Sequence, residues 1–85
     1  MTGKEFLPIG TIVKLNNYEN KVMITGYCMK SNSKTFHYCG VTYPEGINKK
    51  DDYLYYNKGD IRQIVKIGYM DQECIEILDK VKQFN

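Results

Sequence analysis

The chain contains no tryptophan, one histidine and two prolines in 85 residues. A single imidazole excludes sites that need two histidines, and any thiol nucleophile would have to take its base from His37 alone. No run of apolar residues approaches the roughly 20 that span a bilayer, so membrane insertion is not expected. The opening segment "MTGKEFLPIG" carries no apolar h-region of a secretory signal. Three cysteines, an odd number in a chain without such a region, are expected as free thiols in the reducing cytoplasm.

A strong excess of one charge is missing too. Twelve basic and ten acidic residues leave a net charge of +2, and the densest basic pair, Lys49-Lys50, runs straight into Asp51-Asp52. Nucleic-acid binders show a basic stripe that neutralises several phosphates, and none is legible, which weighs against nucleic acid. The acidic residues have no EF-hand spacing, and the glycines form neither a phosphate loop nor a dinucleotide fingerprint. No cofactor is expected.

What is present is ordinary globular composition, 42% hydrophobic and 26% charged, in a chain long enough for one domain over residues 1–85. Residues 1–6 read as a flexible lead. Pro8 and Gly10 then punctuate the entry to "TIVKL", a short β-branched strand. "NNYEN" is a turn cluster, and "KVMITGYCM" and "TFHYCGVTY" are strands joined by the polar "KSNSK". Pairing Lys30 with Lys34 in that hairpin puts Cys28 opposite Phe36, Gly26 opposite Tyr38 and Ile24 opposite Gly40. Alternation then gives a core face of Val22, Ile24, Cys28, Phe36 and Tyr38, with Met23, Thr25, Tyr27, Met29, His37 and Cys39 on the other.

"YPEG" fits a type I turn over Tyr43–Gly46, and "INKKDD" is a solvated loop. In "YLYYN", Leu54 and Tyr56 share one face while Tyr53 and Tyr55 share the opposite one. Asn57 is placed to cap a single helical turn with Asp60 three residues on. "IRQIVKIGYM" reads as a last strand with Val65 and Ile67 on one side. The tail over residues 71–84 is an amphipathic helix: Cys74, Ile77, Leu78 and Val81 fall at helical spacing, with Ile75 on the flank and Phe84 near the end. Asp71 and Glu73 at its start and Lys80 and Lys82 near its end suit the macrodipole. The expected fold is α+β, a small bent antiparallel sheet of four to five strands, in form an open SH3-like barrel or a flat meander, closed by one C-terminal helix.

Candidate chemistry is sparse. Cys28, His37 and Cys39 lie close in sequence, but a structural zinc needs four ligands and there is no C-x-x-C pair. A Cys39–His37 dyad would place its side chains about 7 Å apart along a strand rising ~3.3 Å per residue, poor for a hydrogen bond. No catalytic or metal residue is assigned, and the protein is expected not to be an enzyme. Eight tyrosines are the conspicuous feature. Tyr38 and Tyr56 share faces with aliphatic residues and read as core. Tyr53 and Tyr55 point outward beside Tyr43, forming an aromatic cluster typical of a protein-binding patch unless the terminal helix covers it.

Four stretches in fixed order, "LPIGTIVKL", "KVMITGY", "YCGVTYPEG" and "YYNKGDIRQIVKIGY", resemble the domain-of-unknown-function family 4176 of low-GC Gram-positive bacteria. The likeness runs from Leu7 into the helix. It departs at Lys58-Gly59, where the family pattern has an acidic or histidine-containing step before Asp60. The resemblance implies a genetic setting in type VII secretion loci, beside small helical WXG100-like proteins and LXG-type toxins, and supplies no catalytic residues. It thus implies a cytoplasmic adaptor or chaperone whose client is a secreted toxin or its small helical partners; the sheet geometry, not the likeness, offers an open edge strand with Tyr43, Tyr53 and Tyr55 as the partner-binding residues. The alternative is a nucleic-acid-binding small β-barrel using a stacking platform around Tyr27, Lys34 and His37.

Overall fold

A computed structural model describes residues 6–49 and 52–83. The expected flexibility of residues 1–5, the Lys50-Asp51 part of the loop and the placement of Phe84 all lie outside the described residues. Five strands, β1 (Ile12–Leu15), β2 (Lys21–Ser31), β3 (Lys34–Tyr43), β4 (Leu54–Tyr56) and β5 (Ile61–Lys66), form one antiparallel sheet in the order β4-β3-β2-β1-β5. A 3-10 turn over Lys58–Asp60 joins β4 to β5, and helix α1 spans Gln72–Gln83. The α+β expectation stands. β4 and β5 are the two edges, so the sheet is open, and β5 returns to pair with the first strand.

Alternation along each strand gives the sheet two distinct faces. Val13, Leu15, Val22, Ile24, Tyr38 and Tyr56 form one buried cluster with Phe6 and Leu7, and Tyr18, Tyr27, Cys28, Ile61, Ile64, Leu78 and Val81 pack around it. Phe6 and Leu7 are each 6% exposed, which places the end of the expected flexible lead inside the core. The reason is a backbone clamp: the Leu7 N–H donates to Tyr38 Oη at 2.9 Å, and Tyr27 Oη donates to the Leu7 carbonyl at 2.7 Å. Phe6 packs edge-on against Tyr27 and Tyr38, with centroids at 5.7 and 5.4 Å. Buried peptide groups need partners, and here two phenols supply them.

The hairpin register differs from the expected one over half its length. Asn32 and Ser33 both take left-handed backbone angles, φ 53° and 68°, so β2 and β3 are joined by a two-residue turn with Ser31 opposite Lys34. Met29 therefore faces Phe36, and Tyr27 faces Tyr38. A one-residue bulge between Ile24 and Gly26 then restores the expected Ile24–Gly40 pair. A slip of one residue exchanges faces, which is why Tyr27 joins the core. Phe36 lies beside Tyr55, their ring centroids 6.0 Å apart, instead of joining the expected core row. Cys28 keeps its packing against the core, in a left-handed conformation of φ 51°.

Two further bulges explain the last strand. Between Ile12 and Val13, and again between Lys14 and Leu15, the pairing with β5 skips a residue, so Val65 and Arg62 are extra. Ile61 and Ile64 pack against the core, whereas Val65 and Ile67 remain exposed, contrary to the simple alternation. The turn after β3 also closes one residue earlier than expected: the Gly46 N–H reaches the Thr42 carbonyl at 2.7 Å, and the Tyr43–Pro44 bond is cis.

Helix α1 begins at Asp71, whose carboxylate accepts the Cys74 N–H at 2.9 Å. Only the i, i+4, i+7 line of Cys74, Leu78 and Val81 turns inward; Ile75 and Ile77 are exposed, so the apolar stripe is narrower than the sequence pattern suggested. The helix lies on the core side of the sheet. Gly40 shows how tight that core is, because a Cβ there would stand 2.8 Å from Tyr56 Oη and 2.5 Å from the Met23 carbonyl oxygen. The Tyr56 hydroxyl is buried without a hydrogen-bond partner among the described residues.

The two core phenols should respond oppositely to loss of the hydroxyl. Tyr38→Phe leaves the buried Leu7 N–H unsatisfied and is expected to cost about 1–3 kcal/mol, whereas Tyr56→Phe removes an unpartnered group and is expected to be neutral or stabilising. Urea unfolding of both variants beside the parent checks the contrast; equal losses would count against the clamp.

Candidate protein-binding site

The face of the sheet away from the core and from α1 is built by the other half of each alternation. Its cross-strand rows follow from the register: Gln63, Lys14, Lys21 and Tyr43 across β5, β1, β2 and β3, then Lys66, Ile12, Met23 and Val41 above them. Beyond these, Cys39 stands opposite both Gly26 and Tyr55. Thr25, left unpaired by the bulge, Gly26, Met29, Cys39, Tyr53 and Tyr55 surround a concavity of about 400 Å³. Cys39 and Val41 are each 6% exposed yet lie outside the main core cluster, and of the two Cys39 lines the concavity. Thr25 Oγ1 lies 3.3 Å from the Cys39 carbonyl and donates to it.

The three tyrosines singled out from the sequence border this face. Tyr43 is 45% exposed, Tyr53 43% and Tyr55 37%, and α1 covers none of them because it packs on the opposite side. Tyr38 and Tyr56, at 0% and 3%, are the core rings that the alternation required. The division of phenols follows from chain geometry: β4 pairs Tyr56 with Tyr38 on the buried side, which turns Tyr55 outward. Lys21 Nζ hangs 5.9 Å from the Tyr43 ring centroid, joining the basic row to the aromatic one. Sequence reasoning put Thr25, Met29 and Cys39 together on the face opposite the core row but did not identify them as lining a hollow with Tyr53 and Tyr55, because that needs the pairing of β4 with β3.

The platform considered for stacking bases is engaged internally. Tyr27 is bonded to Leu7, and His37 packs edge-on against Phe6 with centroids 5.8 Å apart. His37 faces Phe6 rather than standing opposite Tyr27, whose partner is Tyr38. Its Nδ1 accepts the Lys58 N–H at 3.0 Å, and its own N–H donates to Asn57 Oδ1 at 3.0 Å. The Asp60 carboxylate accepts the Asn57 N–H at 2.9 Å, the expected contact across the single turn. Lys58 Nζ sits 3.9 Å from the Phe6 centroid, so the 3-10 turn and His37 together cap the buried phenylalanine. Among the described residues no cluster of three or more histidine, cysteine, aspartate or glutamate side chains gathers as for a metal, and Cys28, Cys39 and Cys74 form no disulfide. No described helix is long and apolar enough to cross a membrane.

The arrangement defines a small open-sheet α+β protein with one face sealed by a helix and the other bearing rings and cations. The chain belongs to the domain of unknown function DUF4176, whose family model matches residues 6–77. No curated protein and no solved structure matches the chain.

The His37 contacts set a pH dependence. Partial burial, then the Lys58 cation, hold the imidazole below its ordinary value, with Asp60 opposing. A depressed folded-state value means the unfolded chain binds the proton more tightly, so stability is complete above the ordinary histidine range and declines as pH falls through it toward the folded value. Thermal unfolding midpoints at pH 7.5 and 5.5 are expected to drop in the parent and to drop less in a His37→Asn variant, which keeps an acceptor but does not titrate. An equal drop would trace the loss to the carboxylates.

Proposed function

We propose that this chain is a non-enzymatic cytoplasmic adaptor that holds a client protein, an LXG-type toxin of a type VII secretion system, before export. The observation that carries the reading is the uncovered aromatic face: Tyr43, Tyr53 and Tyr55 stay exposed, the last two lining an apolar concavity, while the terminal helix packs elsewhere. Large amphipathic rings beside a water-accessible hollow are what the centre of a protein interface requires. The secretion setting comes from the family likeness, since DUF4176 membership itself names no activity.

Anchoring would come from side-chain burial more than from strand addition. β4, the edge beside the tyrosines, is three residues long, and the longer free edge, β5, stands at the far end of the sheet. A short edge offers an extended client few backbone bonds. The rings then supply most of the affinity, each at about 2 kcal/mol on truncation.

The double variant Tyr53→Ala with Tyr55→Ala is expected to unfold at a temperature close to the parent's, because neither ring belongs to the core, and to lose its complex with a co-expressed LXG-type toxin. Size-exclusion chromatography of the co-expressed pair, with circular dichroism of the free variant, reads both. A folded variant that still retains the toxin would remove these rings from the interface.

A further inference from the structure

The strands carry a charge pattern that the overall balance hides. Lys14, Lys21, Lys30, Lys34, Arg62 and Lys66 lie in the five strands, and none of those strands contains aspartate or glutamate. The described acids sit in turns and on or beside α1: Glu19, Glu45, Asp52 and Asp60 between strands, then Asp71, Glu73, Glu76 and Asp79. On the outer face, Lys14 and Lys21 are direct cross-strand partners, and Lys66 shares that face as the partner of Ile12. Like charges placed opposite each other disfavour the pairing, so the folded sheet stability does not explain them. Lys21 leads on to Tyr43, and Val41 and Cys39 continue that strand to the concavity.

We infer that the outer face of the sheet binds an acidic segment of a partner protein, with carboxylates over Lys14, Lys21 and Lys66 and one apolar side chain in the hollow between Met29, Tyr53 and Tyr55. This rests on the adaptor reading and gives its partner a chemistry. Two features select an acidic polypeptide over a nucleic acid. Three cations spread along one face are few for a polyphosphate, whose binders neutralise many charges. The hollow, about 400 Å³ and lined by Met29, Cys39, Tyr53 and Tyr55, has room for an aliphatic or aromatic side chain, whereas bases stack on flat exposed rings. The strands themselves bring no acid to this face, and Glu45 and Asp52 gather in a separate pocket on the far side of Tyr53, so the strand cations select and steer the partner while the apolar anchor holds it.

The test uses the full chain and a synthetic peptide alternating Glu and Phe, with a Lys and Phe counterpart and oligo(dT) as comparisons. Amide shifts in a nuclear magnetic resonance titration are expected at Lys14, Lys21, Met23, Cys39 and Tyr55 with the acidic peptide, weakening about tenfold between about 50 and 300 mM salt as exposed charges are screened. The lysine counterpart is expected not to bind. Lys14→Glu with Lys21→Glu should abolish the acidic peptide's binding and leave the fold intact by circular dichroism. Stronger binding of oligo(dT), equal binding of both peptides, or shifts confined to other elements would each overturn the inference. Concentration-dependent shifts of the same residues in the protein alone would overturn it as well, the face then being filled by a second copy. If the charge-reversed variant still holds the co-expressed toxin while the tyrosine variant does not, the adaptor reading stands and the acidic partner falls.

Discussion

The peptide unit of Leu7 is the point on which the rest of the structure depends. Tyr38 and Tyr27 receive its N–H and carbonyl, and in doing so they bring Phe6 under the sheet and leave the first described residues as core rather than lead. Burial raises both phenols above their ordinary value, so they remain neutral hydroxyls at any working pH. Because the clamp occupies the core side together with α1, one face of the sheet is closed. The other is open by consequence. Thr11 secures the same region: its hydroxyl accepts the Gly68 N–H, and its carbonyl accepts the Ile24 N–H, tying β1 to β2 and to the segment beyond β5.

Much of this was legible in the residues themselves. Strong alternation in "TIVKL" and "YLYYN" sorted Tyr56 from Tyr53 and Tyr55, and the spacing of Cys74, Leu78 and Val81 located the helix and its inward line. The ladder of α+β elements followed from those patterns with the right order. The register of the long hairpin did not, because it is set by the two left-handed residues of the turn and by the bulge at Thr25, and a bulge has no reliable sequence mark when the local residues suit either face. The same cause moved Tyr27 inward and hid the hollow beside Tyr55. Phe6 was missed for a different reason: a single ring amid "MTGKEFLPIG" shows no periodicity, and its burial depends on partners 20 or more residues away.

The candidate site divides along the same line. The rings at its border were readable from period-two alternation, whereas the hollow around Cys39 and the cationic rows required the pairing of four strands to be known. A net charge near balance suggested an unremarkable surface, yet the basic residues gather in the strands and the described acidic ones in the connections and on or beside the helix. Whole-chain charge speaks to solubility; its placement speaks to recognition.

The bulge at Thr25 constrains how this scaffold can vary in length. Beyond it, the arm of the hairpin carries Tyr27 inward, the left-handed Cys28 breaks the alternation and turns Met29 toward the hollow, and each orientation holds only while the residue count from the bulge to the Asn32-Ser33 turn stays as it is. Adding or deleting one residue there would turn the arm over, exposing the phenol that grips Leu7 and lowering Met29 into the core. Indels in relatives should therefore arrive as matched pairs on β2 and β3, or collect in the loop between Pro44 and Asp52, where no strand has to keep step.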